Sequence, residues 1–120
     1  MIIQPAPGLF VFDPIIPHLF NDADPSEQEA LAKTHIPHAE QCITTPVLPP
    51  LWAESALNGR RIWLKAMLDG TFTPETAQAF IDGSGVEWEI VERDVGHCGC
   101  ATQPGIVAEV ILDAARKWVR

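Results

Sequence analysis

A chain of 120 residues holds one domain at most and buries a modest core. Its formal net charge of −8, unrelieved by any basic stripe, repels phosphate backbones and anionic bilayers, which excludes nucleic acid and membrane surfaces as partners. The 47% apolar fraction and four tryptophans exclude disorder, and no run approaches the roughly 18–20 apolar residues a membrane helix needs. The apolar start, MIIQPAPGLFVFDPIIP, lacks basic residues and is broken by Pro5, Pro7 and Pro14, so it is a poor leader. Three unevenly spaced cysteines make no disulfide framework, and reduced thiols in a cytoplasmic setting are expected.

In chain order, residues 1–58 hold most of the eleven prolines and little periodic pattern. One helix is predicted there, in DADPSEQEALAKTH, with Asp24 as N-cap, Pro25 at the first position, Glu27 closing a capping box, and Pro37 as the stop. The following IPHAEQCITTPVLPP reads as an extended linker, since each residue before a proline is pushed out of the α region. Residues 59–120 are more regular. RRIWLKAML predicts a strand between Gly59 and Gly70. TPETAQAFIDG predicts a helix capped by Thr73 and stopped by Gly83. VEWEIVE alternates as a second strand from Val86. Pro104 opens a last helix on which Val107, Val110, Ile111, Ala114 and Trp118 recur at helical spacing, with Arg116, Lys117 and Arg120 at the end that favours cations.

Strand, helix, strand, helix is a crossover unit of a parallel sheet. Functional groups in such sheets collect beyond the carboxyl ends of the strands. Asp69 follows the first strand, and His97, in RDVGHCGCATQPG, follows the second. Adjacent parallel strands bring both loops to one edge, where a carboxylate can hold an imidazole tautomer and stabilise the imidazolium. Asp94 competes for the acid role, but it shares the loop of His97 and is poorly placed to reach the ring.

Strand–Asp–helix–strand–Gly-His–helix resembles the C-terminal end of the α/β-hydrolase family, whose triad runs serine, acid, histidine along the chain. The stretch LFNDADPSEQEALAKTHIPHAEQCITTPV is similar to the return from the cap to the sheet in small esterase-like members. The resemblance covers roughly residues 16–119. It implies an α/β fold: a C-terminal fragment with two parallel strands, their helices and part of a cap. Residues 1–58 would be partial cap and linker, and 59–120 the strand–helix–strand–helix unit. It implies His97 as general base and Asp69 as its orienting acid, no cofactor, and a small ester as substrate of the parent architecture. Relatives with hydroxynitrile-lyase activity place a lysine after the histidine; Cys98 there favours ester hydrolysis.

No G-x-S-x-G elbow occurs, and Ser84, in DGSGVE, falls on the wrong side of the sheet. Without a nucleophile and oxyanion donors the isolated chain is expected to be inert as an esterase. The expected partners are therefore a missing N-terminal part or a second copy, the chain being a truncated product or a piece of something longer. The alternative from another class is a non-catalytic association module using an exposed sheet edge.

A Cys/His metal site in HCGC is the weakest reading. Structural zinc pairs cysteines as C-x₂₋₄-C, and here one residue separates Cys98 from Cys100, with a fourth ligand sought from Cys42 or an upstream histidine. C-x-C is likewise not the C-x-x-C of redox proteins. In HIPH, Pro37 interrupts any helix that would align His35 with His38, and linker surface is expected. Trp63, Trp88 and Trp118 are expected on core or strand faces.

Overall fold

The computed structural model describes residues 2–119. Two strands, β1 (Ile2–Ile3) and β2 (Leu9–Phe12), pair antiparallel with Ile2 opposite Phe12, and Gly8 takes the positive φ of 74° that the turn requires. Helix α1 (Ile15–Leu19) starts behind Pro14. Leu19, Phe20 and Ala23 bury themselves against Phe12, Ile15, Leu31 and Cys98, which ties the N-terminal segment to the loop carrying His97.

Helix α2 (Pro25–Lys33) lies where the sequence places it. Its cap differs in detail. The Asp24 carboxylate accepts from the Ser26 backbone N–H at 2.9 Å and from the Ser26 hydroxyl at 2.6 Å, an aspartate–serine turn in place of the expected box with Glu27.

The segment read as an extended linker is more structured than its prolines suggest. It contains β3 (His38–Ala39), which adds to β2 with His38 opposite Phe10, and α3 (Gln41–Thr44). Backbone pairing with β2 overrides the local preference. Single 3₁₀ turns follow at Leu51–Ala53 and Ser55–Leu57. Buried Arg61 gathers these turns: its guanidinium donates to the Trp52 carbonyl at 2.5 Å, the Glu54 carbonyl at 2.7 Å and Asn58 Oδ1 at 2.9 Å. A rigid fork of donors suits this task, because three acceptors in different directions are satisfied by one planar group.

Strand β4 (Ile62–Ala66) and helix α4 (Pro74–Gly83), capped by Thr73, follow as predicted. Strand β5 (Glu89–Arg93) pairs parallel with β4, Ile62 opposite Glu89 and Ala66 opposite Arg93. It begins at Glu89, not Val86. Gly85 turns the chain at φ 71°, and Ser84 Oγ accepts from Trp88 Nε1 at 2.9 Å, which holds Val86–Trp88 in the approach to the strand. The short α5 (Gly99–Thr102) precedes α6 (Pro104–Trp118). Val110 is buried, whereas Ile111, expected on the same stripe, is 62% exposed. Lys117 pairs with Glu89 and fastens the end of α6 to the start of β5. No helix among the described residues is long and apolar enough to cross a membrane.

Candidate functional site

Parallel pairing of β4 and β5 in this register places the loops after both strands at one edge. The ladder continues past the strands: Met67 N–H donates to the Arg93 carbonyl at 2.9 Å, and Leu68 N–H to the Val95 carbonyl at 3.1 Å. Asp69 and His97 therefore leave the sheet side by side.

Their contact is direct. Asp69 Oδ2 lies 3.0 Å from His97 Nδ1, and Oδ1 lies 3.2 Å from the same nitrogen. Oδ1 also accepts from the Thr71 and Phe72 backbone N–H groups, both at 2.8 Å. The carboxylate is thus fixed by its own loop before it meets the ring. The Asp69 side chain is 9% exposed and that of His97 29%. A neutral imidazole that donates Nδ1–H to this carboxylate carries its lone pair on Nε2. Phe72 stacks on the His97 ring at 5.8 Å between centroids and 11° between planes, fixing the ring's remaining degree of freedom. Asp94 is exposed and lies outside this arrangement.

The pair opens on a cleft of about 560 Å³ walled by Trp63, Phe72, Phe80 and Val107. A mainly apolar cleft with two convergent polar groups suits a small organic ligand. None of the chain's three serines lines it. Ser84 stands in the turn before β5, at the opposite end of the strands from His97, and donates its hydroxyl to the Ile81 carbonyl at 2.7 Å.

The cysteines and other histidines are placed differently. Burial pushes the Cys98 thiol up from its ordinary value, with Cys100, Asp22 and Asp69 adding to the effect; this keeps it a thiol and a poor nucleophile or metal ligand. Cys42 and Cys100 are exposed, and all three cysteines are free. Among the described residues no three side chains of metal-ligating type are gathered. His35 and His38 come within 5.6 Å of each other because β3 folds His38 back onto Phe10, an approach that the helical argument about Pro37 did not foresee.

Sequence reading missed the segment that holds the two loops. Thr71 Oγ1 donates to the His18 carbonyl at 2.8 Å, and Cys98 N–H to the Leu19 carbonyl at 3.2 Å. Asn21 and Asp22 reach the same loops through their side chains. The only sequence signal is a polar pair after the apolar run IIPHLF, and nothing local says what it touches.

No family model matches the chain, and no curated protein is similar to it by sequence. Among solved structures, the crystal structure of polyneuridine aldehyde esterase superposes with a TM-score of 0.69 at 20% identity, over 96% of this chain and 47% of that one. The chain therefore spans about half the length of that esterase. The likeness establishes the architecture as α/β, that of part of an α/β-hydrolase fold, consistent with the expected C-terminal fragment.

Proposed function

We propose that this chain is the acid–base half of an esterase-type hydrolytic site, with His97 as general base and Asp69 as the carboxylate that orients it. The observation that carries this reading is the 3.0 Å contact between Asp69 and His97 Nδ1 at the carboxyl ends of two parallel strands. In acyl transfer, Nε2 of His97 would take the proton of an attacking serine hydroxyl and return it to the leaving alcohol. Asp69 would keep Nδ1–H aligned and offset the charge of the imidazolium. Water would then attack the acyl-serine with the same base, releasing the acid.

The serine and the oxyanion donors are to be supplied by residues beyond these 120. Losing the nucleophile costs about a million-fold in such sites, so the isolated chain is expected to be inert. Residues 1–58 take the place of a partial cap and linker, and the apolar cleft fits the acyl or alcohol portion of a small ester. Cys98 in place of a lysine after the histidine favours hydrolysis over cyanohydrin cleavage. Free cysteines fit a reducing, cytoplasmic setting.

The test is capture of the protein from its source with an antibody to α6, followed by a fluorophosphonate probe and intact-mass measurement. The reading predicts a labelled serine on the captured polypeptide or on a chain that copurifies with it. An unlabelled 13.2 kDa species without a partner would overturn it. A second reading, an association module, has its own observation: Phe72 and Phe80 pack against each other with tilted rings at the cleft while 43% and 56% exposed. It predicts a defined oligomer in size-exclusion chromatography of the unlabelled species.

A further inference from the structure

Asn21 and Asp22 lie far in sequence from both loops of the site, yet each grips the backbone immediately before one member of the pair. Asn21 Nδ2 donates to the carbonyl of Leu68, the residue before Asp69, at 2.7 Å. Asp22 Oδ2 accepts from the N–H of Gly96, the residue before His97, at 2.6 Å. The same oxygen accepts from Thr102 Oγ1 at 2.9 Å, and the Asp22 carbonyl accepts from Gln103 Nε2 at 3.2 Å. Asp22 Oδ1 is buried with no hydrogen-bond partner. One carboxylate oxygen is thus doubly engaged while its neighbour is left without a partner, an arrangement uncommon for a buried polar atom.

The glycines on either side record how closely this segment approaches. A Cβ on Gly96 would fall 2.7 Å from Asn21 Oδ1 and closer still to Asp22 Oδ1. A Cβ on Gly70 would fall 2.6 Å from the Pro17 carbonyl oxygen. Both loops are stripped of side chain where residues 17–22 press against them.

We propose that the adjacent residues Asn21 and Asp22 form a positioning brace that fixes the acid loop and the histidine loop at the separation Asp69 and His97 need. This rests on the reading of Asp69 and His97 as an acid–base pair. Neither brace residue touches the reacting atoms. They act by removing freedom from two loops that continue past Leu68 and Val95, the last residues the ladder joins.

The test is amide hydrogen exchange and ¹⁵N spectroscopy of the His97 ring in the full chain, neither of which depends on activity. Asp22→Ala removes the acceptor and is expected to lower protection of the Gly96 amide by roughly 10- to 150-fold, the range for a hydrogen bond to a charged group. The ring nitrogens of His97 should then average between tautomers. Asp22→Asn keeps an acceptor for Gly96 and should recover most of the protection and the wild-type ring signals. Asn21→Ala, a milder change at an exposed side chain, should lower protection of the Thr71 and Phe72 amides several-fold and spare Gly96.

Val110→Ala, in α6 and outside the site, controls for plain destabilisation: it should lower slow amides alike and leave the ring unchanged. If Asp22→Ala behaves like Val110→Ala, or Asn21→Ala leaves the Asp69 loop unaffected, the brace is wrong. A normal brace in a protein whose captured form labels with no serine probe would sink the hydrolase reading alone.

Discussion

Replacing glycine by alanine should have opposite consequences at Gly96 and Gly105. At Gly96 the new Cβ lies 2.7 Å from both Asn21 Oδ1 and Asp22 Cγ, so these groups must retreat by about 0.7 Å to reach ordinary contact near 3.4 Å. Asp22 cannot swing away freely, because Oδ2 is held by Gly96 N–H and by Thr102 Oγ1. The retreat stretches the 2.6 Å bond to Gly96 N–H beyond useful length. Loss of a hydrogen bond to a charged acceptor costs about 1.5–3 kcal/mol, and overpacking alone costs about 1–3 kcal/mol, so Gly96→Ala should destabilise the fold by about 2–4 kcal/mol. At Gly105 a Cβ meets nothing within 4 Å, and the position is in the first turn of α6. Gly105→Ala should therefore stabilise by up to about 1 kcal/mol through helix propensity. Urea unfolding followed by tryptophan fluorescence measures both. Equal shifts in the two variants, or a neutral Gly96→Ala, would refute the close approach of Asn21 and Asp22 on which the site's geometry depends.

The thiols should separate by reactivity: iodoacetamide near pH 8 should modify exposed Cys42 at least about tenfold faster than Cys98, whose thiol is held up by burial. Equal rates by peptide mass spectrometry would contradict that environment. Stability should also fall as the solution is acidified below the usual imidazole value of 6.5. Burial, and secondarily His38, lowers the pKa of His35 in the folded chain, so between that lowered value and 6.5 the unfolded chain binds more protons and gains on the folded one. Denaturant midpoints at pH 7.5 and 5.5, compared with those of His35→Gln, isolate this contribution; an unchanged slope in the variant would exclude His35 as its source.

The helices and parallel strands of residues 59–120 were legible because their signals are local. Thr73 and Pro74 open α4, Pro104 opens α6, and the apolar run around Ile62–Ala66 leaves little choice. Strand order then brought Asp69 toward His97 without any knowledge of side chains. What escaped was non-local. The pairing of His38–Ala39 with β2 is decided by a partner strand about thirty residues earlier, against the preference of a proline-rich stretch. The start of β5 is set by the Ser84 hydroxyl and the Gly85 turn, which an alternating pattern from Val86 conceals. The burial of Arg61 under three oxygen acceptors, from Trp52, Glu54 and Asn58, has no local mark in the run RRIWLKAML. The Asn21–Asp22 contacts span more than forty residues of chain, and a polar pair in a turn carries no mark of where it will land.

The acid–base pair depends on Asp69 holding His97 by Nδ1 so that Nε2 keeps its lone pair. The ¹⁵N spectrum of the His97 ring in the neutral imidazole tests this most directly. The structure predicts a protonated Nδ1 and an unprotonated Nε2, with the pattern abolished by Asp69→Ala. A ring protonated on Nε2, or one averaging rapidly between tautomers in the unmodified chain, would contradict it.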